Sequence, residues 1–339
     1  MTPATLREAV REAVAVRRAA VVALLVAFGH VVFGAVVRIS GSGMGCADRW
    51  PRCADPRTGQ EYWFPPMDQP TLVIEWTHRL LASVLIVAVG VLVTLAWRRR
   101  ATVGGPGGPL KSALLALGLV LFAAGFGAVT VFTVNPPWAT VVHKLIAASL
   151  LAALAATVVR AGGLGAAGAM PGSGTPKAAR GATIAAALAI VVVTMGAFTA
   201  KIPDAAVACA GFPLCGDGSL GGGPQHVQLT HRVLAYLLVL HLLGLPFAVR
   251  KRGEAPTVRR LAAIAAGLGL LQVAWAAWMV LGGFPSHVRS MHQATGIAIW
   301  LATFTMAYVA RRASARDASS ERAASTLDAP RATLMEPAR

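Results

Sequence analysis

Eight long runs of uncharged, mostly apolar residues divide this sequence and constrain its fold more than any other feature. They are Ala19–Val37, Leu80–Trp97, Ser112–Val134, Leu145–Val159, Ala182–Ala200, Val233–Val249, Leu261–Phe284 and Gln293–Ala310. A helix needs about 20 residues to cross a hydrocarbon core of roughly 30 Å. Only 13% of the 339 residues are charged, whereas soluble chains carry roughly a quarter. The sequence predicts an all-α integral membrane protein with eight transmembrane helices and excludes a soluble enzyme.

The basic residues indicate which ends of these helices face the cytoplasm. The chain has 31 Lys and Arg against 14 Asp and Glu, a net charge of +17. If both termini are cytoplasmic, 22 of the 31 basic residues lie in the inner segments and three in the outer loops. This is the positive-inside pattern of a multi-pass protein, here expected in the cell membrane. It predicts cytoplasmic N- and C-termini and explains the charge without a nucleic-acid partner.

The second half of the sequence echoes the first. Phe33–Ala35 is echoed by Met195–Ala197, and Thr77–Arg79 is echoed by Thr230–Arg232. Because each half has four spans, an even number, both halves enter the membrane in the same direction. We therefore expect two tandem four-helix bundles in parallel repeat. The expected segments are 1–18 (cytoplasmic), 19–160 (N-terminal half), 161–181 (cytoplasmic linker), 182–310 (C-terminal half) and 311–339 (cytoplasmic disordered tail).

All four cysteines fall in two outer loops, with Cys46 and Cys53 in one and Cys209 and Cys215 in the other. On the oxidising side of a membrane, such close pairs predict two disulfides, each closing a short loop. A cysteine zinc site is disfavoured, because it needs four ligands and each loop offers two thiols. A structural role and a redox role of the first pair both stay open.

Four histidines stand near the outer ends of the even-numbered spans: His78, His143, His231 and His292. Ionisable residues inside a membrane are costly and are candidates for function. Two histidines at similar depth on neighbouring helices can ligate a haem iron from both faces. The repeat predicts one such pair in each half, His78 with His143 and His231 with His292.

Charged and polar neighbours of these histidines suggest further roles. Arg79 and Arg232 could pair with haem propionates, or else contact lipid headgroups. Glu75 lies three residues before His78, whereas the matching position before His231 is Gln228. A carboxylate beside such a pocket could accept a proton or orient substrate, which an amide could do only in part. The alternative is that Glu75 merely favours the helix N-terminus.

The other four histidines lack full repeat partners, so we assign them supporting or structural roles without a defined function. They are His30, His226, His241 and His287.

Together these motifs resemble the haem A synthase family of the CtaA type. The resemblance covers residues 19–310 and joins the loop cysteines, the four histidines and the difference between Glu75 and Gln228. Its motifs are Gly41–Cys46 with Pro51–Cys53, Glu75–Arg79, His143-Lys144, Thr230–Arg232 and His292-Gln293.

The resemblance implies an oxidoreductase that converts the C8 methyl group of haem o to the formyl group of haem a, for assembly of haem-copper oxidases. It implies a bound haem b ligated by His231 and His292. It implies that His78 and His143 frame the haem o site, that Glu75 assists the oxidation, and that the inserted oxygen comes from water in successive hydroxylations.

The expected partners are haem o and the lipid bilayer. Haem O synthase, an unidentified electron acceptor and a second copy of the chain are left open as further partners. Two other classes of protein fit parts of the pattern. A di-haem b-type cytochrome would use the same histidine pairs for electron transfer alone, and a transporter could be built from parallel repeats.

Overall fold

Helices dominate the computed structural model, which describes residues 3–47, 52–104, 107–162, 174–216 and 221–332. Eight helices in this part of the chain are long and apolar enough to cross a membrane, which confirms the prediction of an all-α integral membrane protein with eight spans. The described helices are α1 (Pro3–Ile39), α2 (Pro70–Arg98), the short α3 (Arg100–Val103), α4 (Leu110–Phe132), α5 (Pro137–Arg160), α6 (Pro176–Thr199), α7 (Gly222–Lys251), α8 (Pro256–Leu281) and α9 (Ser286–Ala332).

The loop between α1 and α2 has its own secondary structure. A 3-10 turn at Ser42–Met44 is followed by strands β1 (Cys53–Ala54) and β2 (Glu61–Tyr62), which pair antiparallel with Cys53 opposite Tyr62. The side chains of Cys46, Cys53 and Leu72 pack together and are nearly or fully buried. The loop is therefore packed onto the start of α2.

Several spans begin earlier than the apolar runs that predict them. Four helices have a proline in their first turn, where its fixed φ suits the helix and its missing N–H costs nothing; these are Pro70, Pro137, Pro176 and Pro256. As a result α2 includes Glu75 and His78. Helix α5 includes His143 and Lys144, which directly precede the fourth apolar run.

The spans form two groups. Helices α1, α2, α4 and α5, the first bundle, contact one another in a ring, and α6, α7, α8 and α9, the second bundle, do the same. The bundles meet at α5 and α9, the most enclosed spans, with 67% and 61% of their apolar stretches buried, against 11% in α8. The indole N–H of Trp300 donates to the Ala148 carbonyl across this contact (3.1 Å).

The disorder expected for the tail is wrong for residues 311–332, because α9 continues to Ala332. This stretch is rich in Ala and Arg, has no glycine, and contains no proline before Pro330, so nothing in it stops the helix. The Asp317 carboxylate also accepts a hydrogen bond from the Gly174 N–H (2.7 Å). Residues 333–339 lie outside the described part.

The linker expected at 161–181 is shorter than predicted, since α6 begins at Pro176. The Thr175 hydroxyl caps this helix by accepting from the Ala178 N–H (3.1 Å), and Thr175 itself donates to the buried Glu254 carboxylate. Residues 163–173 of the linker lie outside the described part.

Candidate functional site

A cavity in the second bundle is lined by both His231 of α7 and His292 of α9. The two imidazoles are close enough to interact electrostatically. Helices α7 and α9 each pack against α6 and α8, so they lie diagonally across the bundle and are not the neighbours that the sequence led us to expect. Diagonal helices leave the centre of the bundle free for a flat ligand between the two rings.

Glycines let a neighbouring helix approach the histidine rings. A Cβ at Gly196 of α6 would lie 3.0 Å from Cε1 of His231, and one at Gly34 of α1 would lie 3.3 Å from Cε1 of His78. Real Cβ contacts are rarely this short, so a side chain at either position would push the ring. The repeated segments Phe33–Ala35 and Met195–Ala197 therefore serve the same packing purpose in both bundles.

Gln272 of α8 holds His292. Its amide nitrogen lies 3.2 Å from both ring nitrogens of His292, while its Oε1 is buried without a partner. A polar group that fixes an imidazole's orientation typically tunes it as a metal ligand. Sequence reasoning missed Gln272, which lacks a counterpart among the repeated motifs.

The first bundle brings its predicted histidines together in the same way. His78 of α2 and His143 of α5 are on diagonal helices and are close enough to interact electrostatically. Their Nδ1 atoms are buried without hydrogen-bond partners. A Cβ at Gly127 would lie 3.4 Å from Cε1 of His143, so a glycine borders this ring as well.

His30 is a third histidine at this site, and the sequence predicted only a supporting or structural role for it. Its ring stacks on His78 with a centroid separation of 4.2 Å and an angle of 5°. The corresponding position in the second bundle is Val192, which lines the cavity there. His30 lies one turn before Gly34 on the same face of α1, and this spacing is the signal that could have identified it.

Glu75 is buried, with 4% of its surface exposed. One carboxylate oxygen accepts from the Cys46 N–H (2.9 Å), and the other forms an ion pair with Arg79 (2.6 Å). The carboxylate therefore links the α1–α2 loop to the helical turn that carries His78. Its role in oxidation stays a prediction.

The matching residues of the second bundle also contact their loop. The Gln228 amide donates to the Ala206 carbonyl (3.1 Å), and the Arg232 guanidinium donates to the carbonyls of Cys209 (2.9 Å) and Gly211 (2.7 Å). Arg232 also lines the cavity. Arg79 and Arg232, the arginines predicted to pair with haem propionates, thus both have protein partners. Their role towards haem stays a prediction.

Both predicted disulfides are present, and no described cysteine is free. Cys46 bonds to Cys53 and Cys209 bonds to Cys215, each within its own loop.

The remaining histidines make contacts of a structural kind. His226 pairs through Nδ1 with the Gly222 carbonyl (2.6 Å), and His241 pairs through Nε2 with that of Gly181 (2.9 Å). His287 packs edge-on against Trp278, with ring centroids 5.7 Å apart.

The residues around the cavity of the second bundle fit a haem. No described group of three or more His, Cys, Asp or Glu side chains could hold a metal ion alone. Two imidazoles instead suit an iron whose other ligands come from a porphyrin. The cavity wall also carries cationic side chains that complement haem carboxylates; they are Arg38, Lys144, Arg232 and Arg289.

These features define an all-α multi-pass membrane protein with a two-histidine site in each of two repeated bundles. A family model described as cytochrome oxidase assembly protein matches residues 17–304. The chain belongs to this family, that of the haem A synthases.

Curated relatives named haem A synthase support the assignment. One from Symbiobacterium thermophilum is 31% identical over 80% of this chain and 87% of its own length. Relatives from an Exiguobacterium species and from Geobacillus kaustophilus are each 26% identical over 77% of this chain, and over 82% and 81% of their own lengths.

Proposed function

We propose that this chain is a haem A synthase that oxidises the C8 methyl group of haem o to a formyl group, giving haem a for the assembly of haem-copper oxidases. Family membership supports an enzyme of haem modification. The observation that carries the proposal is the repeated histidine pair with a buried carboxylate, Glu75, beside only one of the two pairs among the residues that the structure describes. One bundle thus suits proton-coupled chemistry, and the other suits a permanently bound cofactor.

We assign a resident haem b to the cavity of the second bundle. When bound, it supplies one-electron redox chemistry. His231 and His292 hold its iron, and Gln272 keeps the His292 ring oriented. Gly196 leaves the space in which the His231 ring sits.

We assign the substrate haem o to the first bundle, between His78 and His143. With water as the oxygen source, each methyl group converted to a formyl group releases four electrons and four protons, so an electron acceptor is required. Glu75 takes up protons near the loop, and Arg79 holds the carboxylate in position. The farnesyl tail of haem o suits a site bordered by lipid.

We propose that the protein lies in the cell membrane with both termini in the cytoplasm, since the basic residues lie mainly in the segments this topology puts inside. Haem O synthase, the electron acceptor and a second copy of the chain are candidate partners. A membrane-impermeant thiol reagent added from outside should label reduced Cys215, which is partly exposed, but not a cysteine introduced at Arg99. The reverse pattern would invert the topology.

The activity is tested by expressing the chain in cells that make haem o but no haem a, then extracting the pigments. Haem a should appear with the chain and not with an empty vector. Unchanged haem o, together with a stable b-type spectrum of the purified protein, would instead support the di-haem cytochrome.

A further inference from the structure

We propose that the haem cavity of the second bundle is completed by the first bundle, with Arg38 of α1 and Lys144 of α5 binding the carboxylates of the haem. The inference rests on the proposed function in that it assigns a haem to this cavity. It transfers the carboxylate-binding role at this cavity from Arg232 to two residues that sequence reasoning did not assign to haem.

Arg38 belongs to the first bundle but lines the cavity of the second. Its Nη2 donates to Oε1 of Gln293 (2.9 Å), the residue that follows His292. Its Nε is buried without a hydrogen-bond partner. The guanidinium is therefore anchored beside an iron-binding histidine with a donor still unused.

Lys144 also lines this cavity from the first bundle. It directly follows His143, and consecutive residues on an α-helix point about 100° apart. Helix α5 thus directs His143 towards Gly127 in its own bundle and Lys144 into the other. No described residue forms a hydrogen bond or ion pair with the Lys144 ammonium, so this charge has no counter-ion within the described part of the chain.

The charges of the cavity are unbalanced. Its lining residues in the described part of the chain include four cations, Arg38, Lys144, Arg232 and Arg289, and no carboxylate. Unpaired charges away from water are costly, so such a group is stabilised by an anion. Arg232 already donates from both of its Nη atoms to loop carbonyls, which leaves Arg38 and Lys144 freer to bind one.

The test compares protohaem with its dimethyl ester, which lacks the two carboxylate charges. Full-length chain purified in detergent from haem-limited cells is titrated with each, following the absorption of the bis-histidine complex. Unaltered protein should bind protohaem at least about tenfold more tightly than the ester. Lys144→Met and Arg38→Gln should each weaken protohaem binding about tenfold, the effect of one lost charge-assisted contact, while ester binding stays unchanged.

Lys201→Gln is the matched control. Lys201 lies near Arg38, and burial together with that positive charge lowers the pKa of its ammonium. It donates to the Asn135 carbonyl (3.4 Å) and does not line the cavity. Its loss should leave the preference for protohaem intact.

Equal affinity of the unaltered protein for both haems would overturn the inference, as would an equal effect of Lys201→Gln and Lys144→Met. Binding is measured without turnover, so the two proposals fail separately. A chain that prefers protohaem but makes no haem a keeps the inference and loses the proposed function. A chain that makes haem a but binds protohaem and its ester equally keeps the proposed function and loses the inference.

Discussion

Glu75 and Gln228 occupy matching positions in the two bundles, but they contact their loops in opposite senses. Glu75 accepts a hydrogen bond from the Cys46 N–H and pairs with Arg79. Gln228 donates to the Ala206 carbonyl, and Arg232 donates to loop carbonyls as well. The same scaffold therefore holds a carboxylate in one bundle and a neutral amide in the other, as expected if only one bundle handles protons.

The histidine pairs should give the largest difference between the bundles. His231→Ala or His292→Ala removes one of the two side chains that would hold the iron, so the purified chain should lose its haem b spectrum together with its activity. His78→Ala and His143→Ala should keep haem b but lose conversion of haem o. The measurement is haem b per protein by absorption spectroscopy. If haem b disappears from the His78 variant and stays in the His231 variant, the two assignments must be exchanged.

Glu75→Gln should have the next largest effect. Loss of a proton acceptor should lower the conversion of haem o at least about a hundredfold, within the range of general base catalysis, with haem b retained. Pigment analysis measures the rate. Gln228→Ala is the matched change in the other bundle, and it should leave conversion within a few-fold of normal. A Glu75→Gln chain that still makes haem a at the normal rate would remove the proposed role of the carboxylate.

The repeated glycines offer a finer comparison. A methyl group at Gly196 should displace the His231 ring and lower haem b affinity about tenfold, since overpacking typically costs about 1–3 kcal/mol. Gly34→Ala should slow conversion and leave haem b affinity unchanged. Haem titration and pigment analysis separate the two effects. Gly267→Ala is the control, because nothing lies within 4 Å of its added Cβ, and an effect as large as that of Gly196→Ala would refute the packing argument.

Loss of a disulfide should give the smallest difference between the two bundles. Opening either short loop should lower the free energy of unfolding by about 2 kcal/mol. Only Cys46→Ser with Cys53→Ser should also slow conversion. Opening this loop would loosen residue 46, whose backbone N–H donates to Glu75. Thermal unfolding and pigment analysis of the two double variants test this. Equal slowing by Cys209→Ser with Cys215→Ser would show that the first loop has no special link to the reaction.

The sequence predicted the eight spans because long apolar runs leave few alternatives to membrane helices. Several helices begin earlier than the apolar runs predicted. Polar residues such as His78 and Lys144 lower the local hydropathy without ending a helix. The repeat predicted the histidine pairs by position, and closeness within each outer loop predicted the cysteine pairs.

The contacts of the candidate sites were harder to predict. The stacking of His30 on His78 and the contact of Gln272 with His292 depend on how each helix is rotated within its bundle. A pattern of apolar runs leaves that rotation undetermined. Arg38 and Lys144 line the cavity of the second bundle because of the way the two bundles meet. A repeat within one chain does not specify that contact.

A duplicated gene can later be divided, or one copy lost, only while each copy still encodes a complete site. Arg38 and Lys144 are encoded by the first copy but line the cavity of the second. Their repeat counterparts are Lys201, which binds a loop carbonyl, and Gln293, which is neutral. A second copy set in the place of the first would bring one lysine and one neutral amide where the cavity now has an arginine and a lysine, so the two copies are not interchangeable around this cavity.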